Sequence, residues 1–322
     1  PLTLRLYCES ANSERRRVVG VEALPRSQVA IFEKYFEKAI DHIVDLSPSN
    51  QRLYHEDIED TLLKIAEVLW TENYRTLDFN QARSIANEVV RSGSSLIKSL
   101  ESEGILLKYR SQNGNHEIGF SYDLMAGFKI AEYLLKGDFN SWIRQNIHKI
   151  QYGQLHSNTL AYDVFNSLVG LYPKYYVRKH LWQLLEGDFK ERALLQTTQE
   201  QAALINRETI EEFQKYLLSS EQFASKAFTK LKTTRSAYAH PFDASFLDKA
   251  LRAMGNTYRD LTWSEWIRRN YRELKNDLEV LEKRWSRIEI GSSEKGRALW
   301  VQWLLTTNHR DLRDQATKVL SI

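Results

Sequence analysis

The most constraining stretch runs from Ser94 to Tyr133 and reads SSLIKSLESEGILLKYRSQNGNHEIGFSYDLMAGFKIAEY. A short helix carrying Leu96 and Leu100 ends at Gly104, where a residue free to take positive φ is the usual stop. Ile105 to Arg110 is extended and mostly apolar. Asn113-Gly114 is the strongest short turn signal in the chain. Ile118 and Phe120 alternate with Gly119 and Ser121, as in a half-buried strand. A helix leaves from Tyr122 with Leu124, Phe128, Ile130, Ala131 and Leu134 on its apolar side. Helix, strand, Asn-Gly turn, strand, helix is the pattern of a winged helix. A two-stranded hairpin is not stable alone, so it needs helices to lie on.

The upstream sequence supplies them. Pro25 and Ser27 begin a helix, with Ser27 as the capping candidate. Val29, Phe32, Phe36, Ile40 and Ile43 follow on one helical face. Ser47-Pro48-Ser49-Asn50 breaks it. A second helix near 57–69 carries Ile58, Leu62, Ile65 and Leu69. A third near 80–90 carries Ala82, Ile85, Ala86 and Val89. Residues 26–136 therefore read as one winged-helix domain, with the only sheet near 105–110 and 117–122. Residues 1–25 read as the end of a preceding helical segment and a linker. The opening Pro1-Leu2-Thr3-Leu4-Arg5-Leu6, without Met, reads as a piece of a longer protein.

Gly137-Asp138 marks the next expected boundary. Helices then recur between short breaks, near 139–151, 158–171, 178–186, 189–206, 208–218, 221–231, 244–255, 262–286, 294–306 and 309–320. Thr262-Trp263-Ser264-Glu265 has the form of a capping box at a helix start, and Asn308 with Asp311 offers a similar one. No fixed sequence period emerges, so residues 137–322 read as a solenoid-like α-helical array rather than a regular repeat. The expected fold class is mainly α.

The chemistry-bearing motifs are missing from the sequence. There is no G-x-x-x-x-G-K-[ST], whose glycines would let backbone amides cradle phosphates, and no H-E-x-x-H, C-x-x-C or G-x-S-x-G. The eight histidines show no metal spacing; His148 and His156 are the nearest couple and make a poor zinc site. The eight tryptophans lie beside leucines at helical spacing, which reads as core rather than stacking platforms. Arg15, Arg16 and Arg17 read as a solvated loop.

A single cysteine, Cys8, excludes an internal disulfide framework and suits a reducing cytoplasm. No apolar run approaches the ~18 residues of a spanning helix, so no membrane partner is expected. With 45 basic against 42 acidic residues the net charge is only +3, which gives no electrostatic reason for nucleic acid. The helix before the turn brings Lys98 but also Glu101 and Glu103, which would face a polyanion. Lys108, Arg110 and His116 on the hairpin make a modest patch. A winged-helix DNA-binding transcription regulator, with the later helices as ligand-binding or dimerisation domain, is the alternative reading.

Three stretches resemble one family: PLTLRLYCE at the start, IGFSYDLMAGFKIAEYLL after the turn, and the C-terminal part containing HPFDASFLDKALRAM, RDLTWSEWIRRNY and W-L-L-T-T-N-x-R-x-L-R-D-x-A-T-K. Together they resemble the bacterial STAND NTPases of antiviral defence, the AVAST type related to NACHT proteins. The resemblance implies a parent with an N-terminal effector, a P-loop ATPase using ATP and Mg²⁺, a winged helix and a long helical sensor. This chain would lie after the ATPase core, with no catalysis and no cofactor of its own. It also implies that a viral (phage) protein binds the sensor, after which the parent self-associates and switches on its effector. Pro1 corresponds to the proline of a G-x-P motif that lies against adenine in related ATPases. Where relatives place a polar residue, often His, near the nucleotide phosphates, this chain offers Tyr122. Pro1 and Tyr122 are thus the expected nucleotide-edge residues.

Overall fold

The computed structural model describes residues 27–139 and 160–322, apart from positions 92, 111–113, 178, 238 and 288–290, with residue 143 described between the two spans. The described chain is mainly helical with one small sheet. It divides into two compact units, one up to Leu181 and one from Trp182 onward. The turn at Gly137-Asp138 falls inside the first of them.

The first unit opens with α1 (Gln28–Leu46), whose first turn is capped by Ser27 Oγ accepting from Ala30 N at 3.1 Å. Its apolar stripe, Val29, Phe32, Phe36, Ile40 and Ile43, is buried as the spacing predicts. Helix α2 (His55–Glu72) buries Ile58, Leu62, Ile65 and Leu69 almost completely, and ends at Asn73 in the left-handed conformation, which an Asn tolerates better than most residues. A two-residue strand β1 (Leu77–Asp78) follows, then α3 (Phe79–Val89), whose N-terminus Asp78 caps by accepting from Asn80 N at 2.8 Å. Val89, expected on the buried face of α3, is only half-buried. Helix α4 (Gly93–Ser102) stops at Gly104 with φ +70°.

Strands β2 (Leu106–Arg110) and β3 (His116–Phe120) form the antiparallel hairpin, pairing Leu106 with Phe120, Lys108 with Ile118 and Arg110 with His116. Gly114 in its turn has φ +80°; Asn113 lies outside the described residues. The sequence missed β1, which pairs with the far side of β3 through Leu77 and Ile118 and gives the order β1-β3-β2. Two residues are too few to show an alternation.

Helix α5 (Asp123–Lys136) packs closely on α6 (Leu160–Tyr175). At their crossing a Cβ on Gly127 would sit 2.6 Å from the Asp163 carbonyl carbon, so only glycine lets the backbones approach this far. The expected helix near 139–151 lies almost wholly outside the described residues.

The expected 178–186 helix is only a 3₁₀ turn at Leu181–Leu184 where described; in the second unit the expected 189–206 helix is α7 (Gly187–Thr197) plus a 3₁₀ turn at Ala202–Leu204. Helices α8 (Arg207–Ser219), α9 (Glu221–Thr234) and α10 (Ala244–Ala253) each begin on a side-chain cap, from Asn206, Ser220 and Asp243. Such caps satisfy amides that the first turn leaves without partners.

The expected 262–286 helix is corrected at its start and in its interior, while its end at Trp285 lies where expected. The chain is already helical from α11 (Asn256–Arg259), passes through a π-helical turn at Asp260–Ser264, and continues as α12 (Glu265–Arg269). Thr262 is therefore mid-helix: its Oγ1 donates to the Tyr258 carbonyl at 2.8 Å, and Glu265 pairs with Arg268 and Arg269 instead of closing a capping box. A break follows at Asn270, whose Nδ2 donates to the Trp266 carbonyl at 2.8 Å, a side chain competing for a helical acceptor. Then come α13 (Tyr271–Trp285), α14 (Ser292–Leu304) and α15 (Arg310–Leu320). The cap position of α15 is His309, not Asn308, and it makes no side-chain capping bond.

The second core is aromatic, as the tryptophan spacing implies. Trp263 stacks on Trp266 at 5.3 Å and meets Phe228 and Trp300 edge-on. Two of the buried indoles donate to threonine hydroxyls: Trp182 to Thr209 Oγ1 and Trp266 to Thr229 Oγ1, both at 3.0 Å.

Candidate functional site

Of the two expected nucleotide-edge residues, Pro1 lies outside the described residues. Tyr122 is half-buried at the N-cap of α5, where its carbonyl accepts from Met125 N and Ala126 N. The next residue, Asp123, pairs with Arg75 at 2.5 Å, and Arg75 also reaches Asp163 at 3.4 Å. The passage from hairpin to α5 is thus tied to α6 through one guanidinium. Burial raises the Asp163 carboxyl above its ordinary value, against the lowering pull of Arg75. A phosphate approaching Tyr122 would meet the Asp123 carboxylate, which already complements this helix N-terminus.

The basic residues around the hairpin are partly engaged. Lys108 Nζ lies 4.1 Å from the centre of the Phe79 ring, and Arg83 donates to Ser94 Oγ at 2.9 Å. Glu103 pairs with His42 at 2.8 Å. On the outer face of α4 the exposed residues are Ser95, Lys98 and Ser102, which bring one cation. Leu107 and Tyr109 of β2 are exposed beside them.

A different site gathers chemistry that the sequence reading passed over. A cavity of about 250 Å³ opens between α1, α2 and α5. Its inner wall is Phe36 stacked on Phe128, with ring centres 5.7 Å apart and planes 11° apart. Lys129, only 1% exposed, sets its ammonium 4.3 Å from the Phe36 ring centre. That ammonium pairs with Glu59 at 2.9 Å and Glu132 at 2.8 Å. Glu33 and Glu37 of α1 complete the acidic lining. Lys174 of α6 pairs with Glu33, Lys34 lies 3.6 Å from Glu37, and His55 pairs with Asp41 at 2.7 Å.

The electrostatics follow from burial. Desolvation lifts the Glu132 carboxyl, and the Lys129 ammonium only partly offsets it. Tyr175 is held well above the usual phenol range, first by burial and then by Glu132, Glu33 and Glu59. Ion pairs with incomplete compensation cost stability, so this cluster is expensive to keep. The signal that could have found it is Lys129-Ile-Ala-Glu132: a lysine inside an apolar helical run with a carboxylate three residues on, on the same face. Among the described residues no group of His, Cys, Asp and Glu has the arrangement of a metal site, and no helix is long and apolar enough to cross a membrane.

No family model, no curated protein and no solved structure matches this chain.

Proposed function

We propose that this chain is the regulatory and target-sensing portion of a STAND-type antiviral defence ATPase, and that it carries no catalysis of its own. In this reading residues 26–136 are a winged-helix domain, and residues 137–322 are a helical array that begins a sensor for a viral protein. Recognition releases an ATPase domain that binds ATP and Mg²⁺, the parent self-associates, and its effector is switched on.

The observation that supports it best is connectivity. α2, β1, α3, α4, β2 and β3 follow in that order, with β1 paired to β3 on the side away from β2. That is the connection order of a winged helix. The arrangement also suits a DNA-binding regulator, with α4 in a groove. A recognition helix brings Arg, Lys, Asn or Gln to base edges, whereas the exposed face of α4 carries Lys98 alone among charged residues. Two features favour a protein partner or a nucleotide lid: that face, and the exposed apolar pair Leu107 and Tyr109.

Titration of the isolated chain tests this. Calorimetry with ATP and Mg²⁺, and anisotropy with duplex DNA at physiological salt, should both give no saturable binding in the micromolar range. Sequence-dependent DNA binding within the range usual for specific sites, about 10⁻⁸–10⁻¹¹ M, would replace the reading with the regulator. Micromolar ATP binding or steady phosphate release would replace it with an enzyme.

A further inference from the structure

The cavity between α1, α2 and α5 is not explained by a regulatory role for the chain, and its chemistry is specific. Four carboxylates line it, Glu33, Glu37, Glu59 and Glu132, against the single ammonium of Lys129. Its inner wall is aromatic, and ring faces attract cations. Ile40 and Phe128 add apolar surface on which a methylene stem can lie. At about 250 Å³ it is smaller than the ~300–1,000 Å³ of sites for drug-sized ligands. It suits a guest the size of one long side chain.

The site also contains an example of what it binds. Lys129 threads its own butyl stem through the core and places its ammonium on the Phe36 ring between Glu59 and Glu132. That ammonium is fully occupied: Glu59 takes it with both oxygens, at 2.9 and 3.2 Å. Glu33 and Glu37 lie outside this arrangement: Glu33 is paired with the half-buried Lys174 of α6, and Glu37 with Lys34 of its own helix. The side-chain exposure of Glu37 is 62% and that of Lys34 is 47%, so solvent screens this pair and it holds weakly.

We propose that this cavity is a binding site for an alkylammonium group on an apolar stem. The guest's charge would lie between Glu37, Glu33 and Glu132, with Glu37 the least firmly paired of the three, and its stem on Phe36 and Ile40. The same chemistry is offered by a lysine side chain of a partner protein and by a free amine. The proposal is independent of the regulatory reading, because it rests on this cavity alone.

The test uses the whole 322-residue chain and three probes followed by calorimetry and by backbone NMR shifts: n-butylammonium chloride, N-acetyl-lysine methylamide, and neutral n-butanol. Both cations should bind saturably and shift the amides of α1 and α5, while butanol should not. Tighter binding of the lysine derivative assigns the site to a protein side chain, and tighter binding of butylammonium assigns it to a free amine. Glu132→Gln should weaken binding about tenfold, the size of one charge-assisted hydrogen bond. Glu37→Gln, at an exposed rim position that the fold does not need, should weaken it less and stay fully folded. Absence of saturable cation binding would overturn the proposal. So would equal binding of butanol, or affinity unchanged in a folded Glu37→Gln and a folded Glu132→Gln.

Discussion

Each unit of the molecule buries a charge, and the two do it differently. In the first, Lys129 is one cation between two carboxylates, against stacked rings, beside a cavity. In the second, Glu294 is one carboxylate, 2% exposed, closed in by Arg284 at 2.9 Å, by Arg297, and by the Trp285 indole, which donates at 2.5 Å. One centre keeps surplus charge of its own sign of partner and open space. The other has every oxygen taken. A sealed centre acts as a staple; an open one is sensitive to pH and to cations. The difference separates a charge kept for structure from a charge kept for contact.

The strongest way to break the comparison is to open the sealed centre. Glu294→Ala leaves two guanidiniums and an indole without their acceptor, and breaking a buried pair costs about 3–5 kcal/mol. Urea titration read by exchange of amides from α13 and α14 should show that loss. A loss under about 1 kcal/mol would mean that solvent replaces Glu294 easily, and the contrast would fail.

Lys129→Met should cost somewhat less, about 2–3 kcal/mol at neutral pH, because Glu59 keeps partial access to water. The sign of its pH dependence is fixed by Glu132. A carboxyl lifted in the fold holds its proton more firmly there than in the unfolded chain. Its unfavourable contribution is absent at low pH and grows as pH rises above the ordinary value of 4.5,. Without Lys129 the growth is steeper. The gap between variant and parent should therefore be widest near pH 7 and close toward pH 4. A gap that is constant with pH would assign the loss to packing instead.

Much of this was readable from residues. The stripes of α1 and α2 and the Asn-Gly hairpin follow from spacing and turn chemistry, and they lie where that spacing puts them. The ends of α11 and α12 do not. Thr262 and Glu265 satisfy the capping pattern, yet the amides there are already bonded within a helix that began at Asn256. Local signals report what a segment could do, and the neighbouring turn decides. The charge cluster is legible only at Lys129 and Glu132: Glu33, Glu59, Lys129 and Lys174 come from four helices up to 141 residues apart, and nothing local marks those four as neighbours.

Gly114→Val is the next effect in size. Nothing lies within 4 Å of a Cβ at Gly114, so the cost is backbone strain at φ +80° alone. About 1–3 kcal/mol is expected, confined to the first unit and unchanged between pH 5 and 8, in contrast to Lys129→Met. An unchanged melting temperature would show that the turn is not built as described.

The smallest effect is expected at His240 in the second unit. Phe242 N donates to its Nδ1 at 3.1 Å, and its Nε2 lies 3.3 Å from the Glu200 carbonyl. Burial lowers its pKa below the ordinary 6.5, partly offset by that carbonyl and Asp243. A group harder to protonate in the fold costs stability as pH falls through 6.5 toward its lowered value. The second unit should weaken slightly between pH 7 and 5, and His240→Asn should remove that slope. A slope retained in the variant would place the titration elsewhere.

The regulatory reading is tested most directly by nucleotide retention. On the proposed reading, the test joins residues 1–322 to the P-loop domain of the proposed parent and follows release of a fluorescent ATP analogue by stopped flow. A lid acts only on an occupied site, so the joined protein should release the analogue more slowly than the P-loop domain alone, and breaking the hairpin with Gly114→Val should restore fast release. Equal release rates with and without this chain would contradict the account.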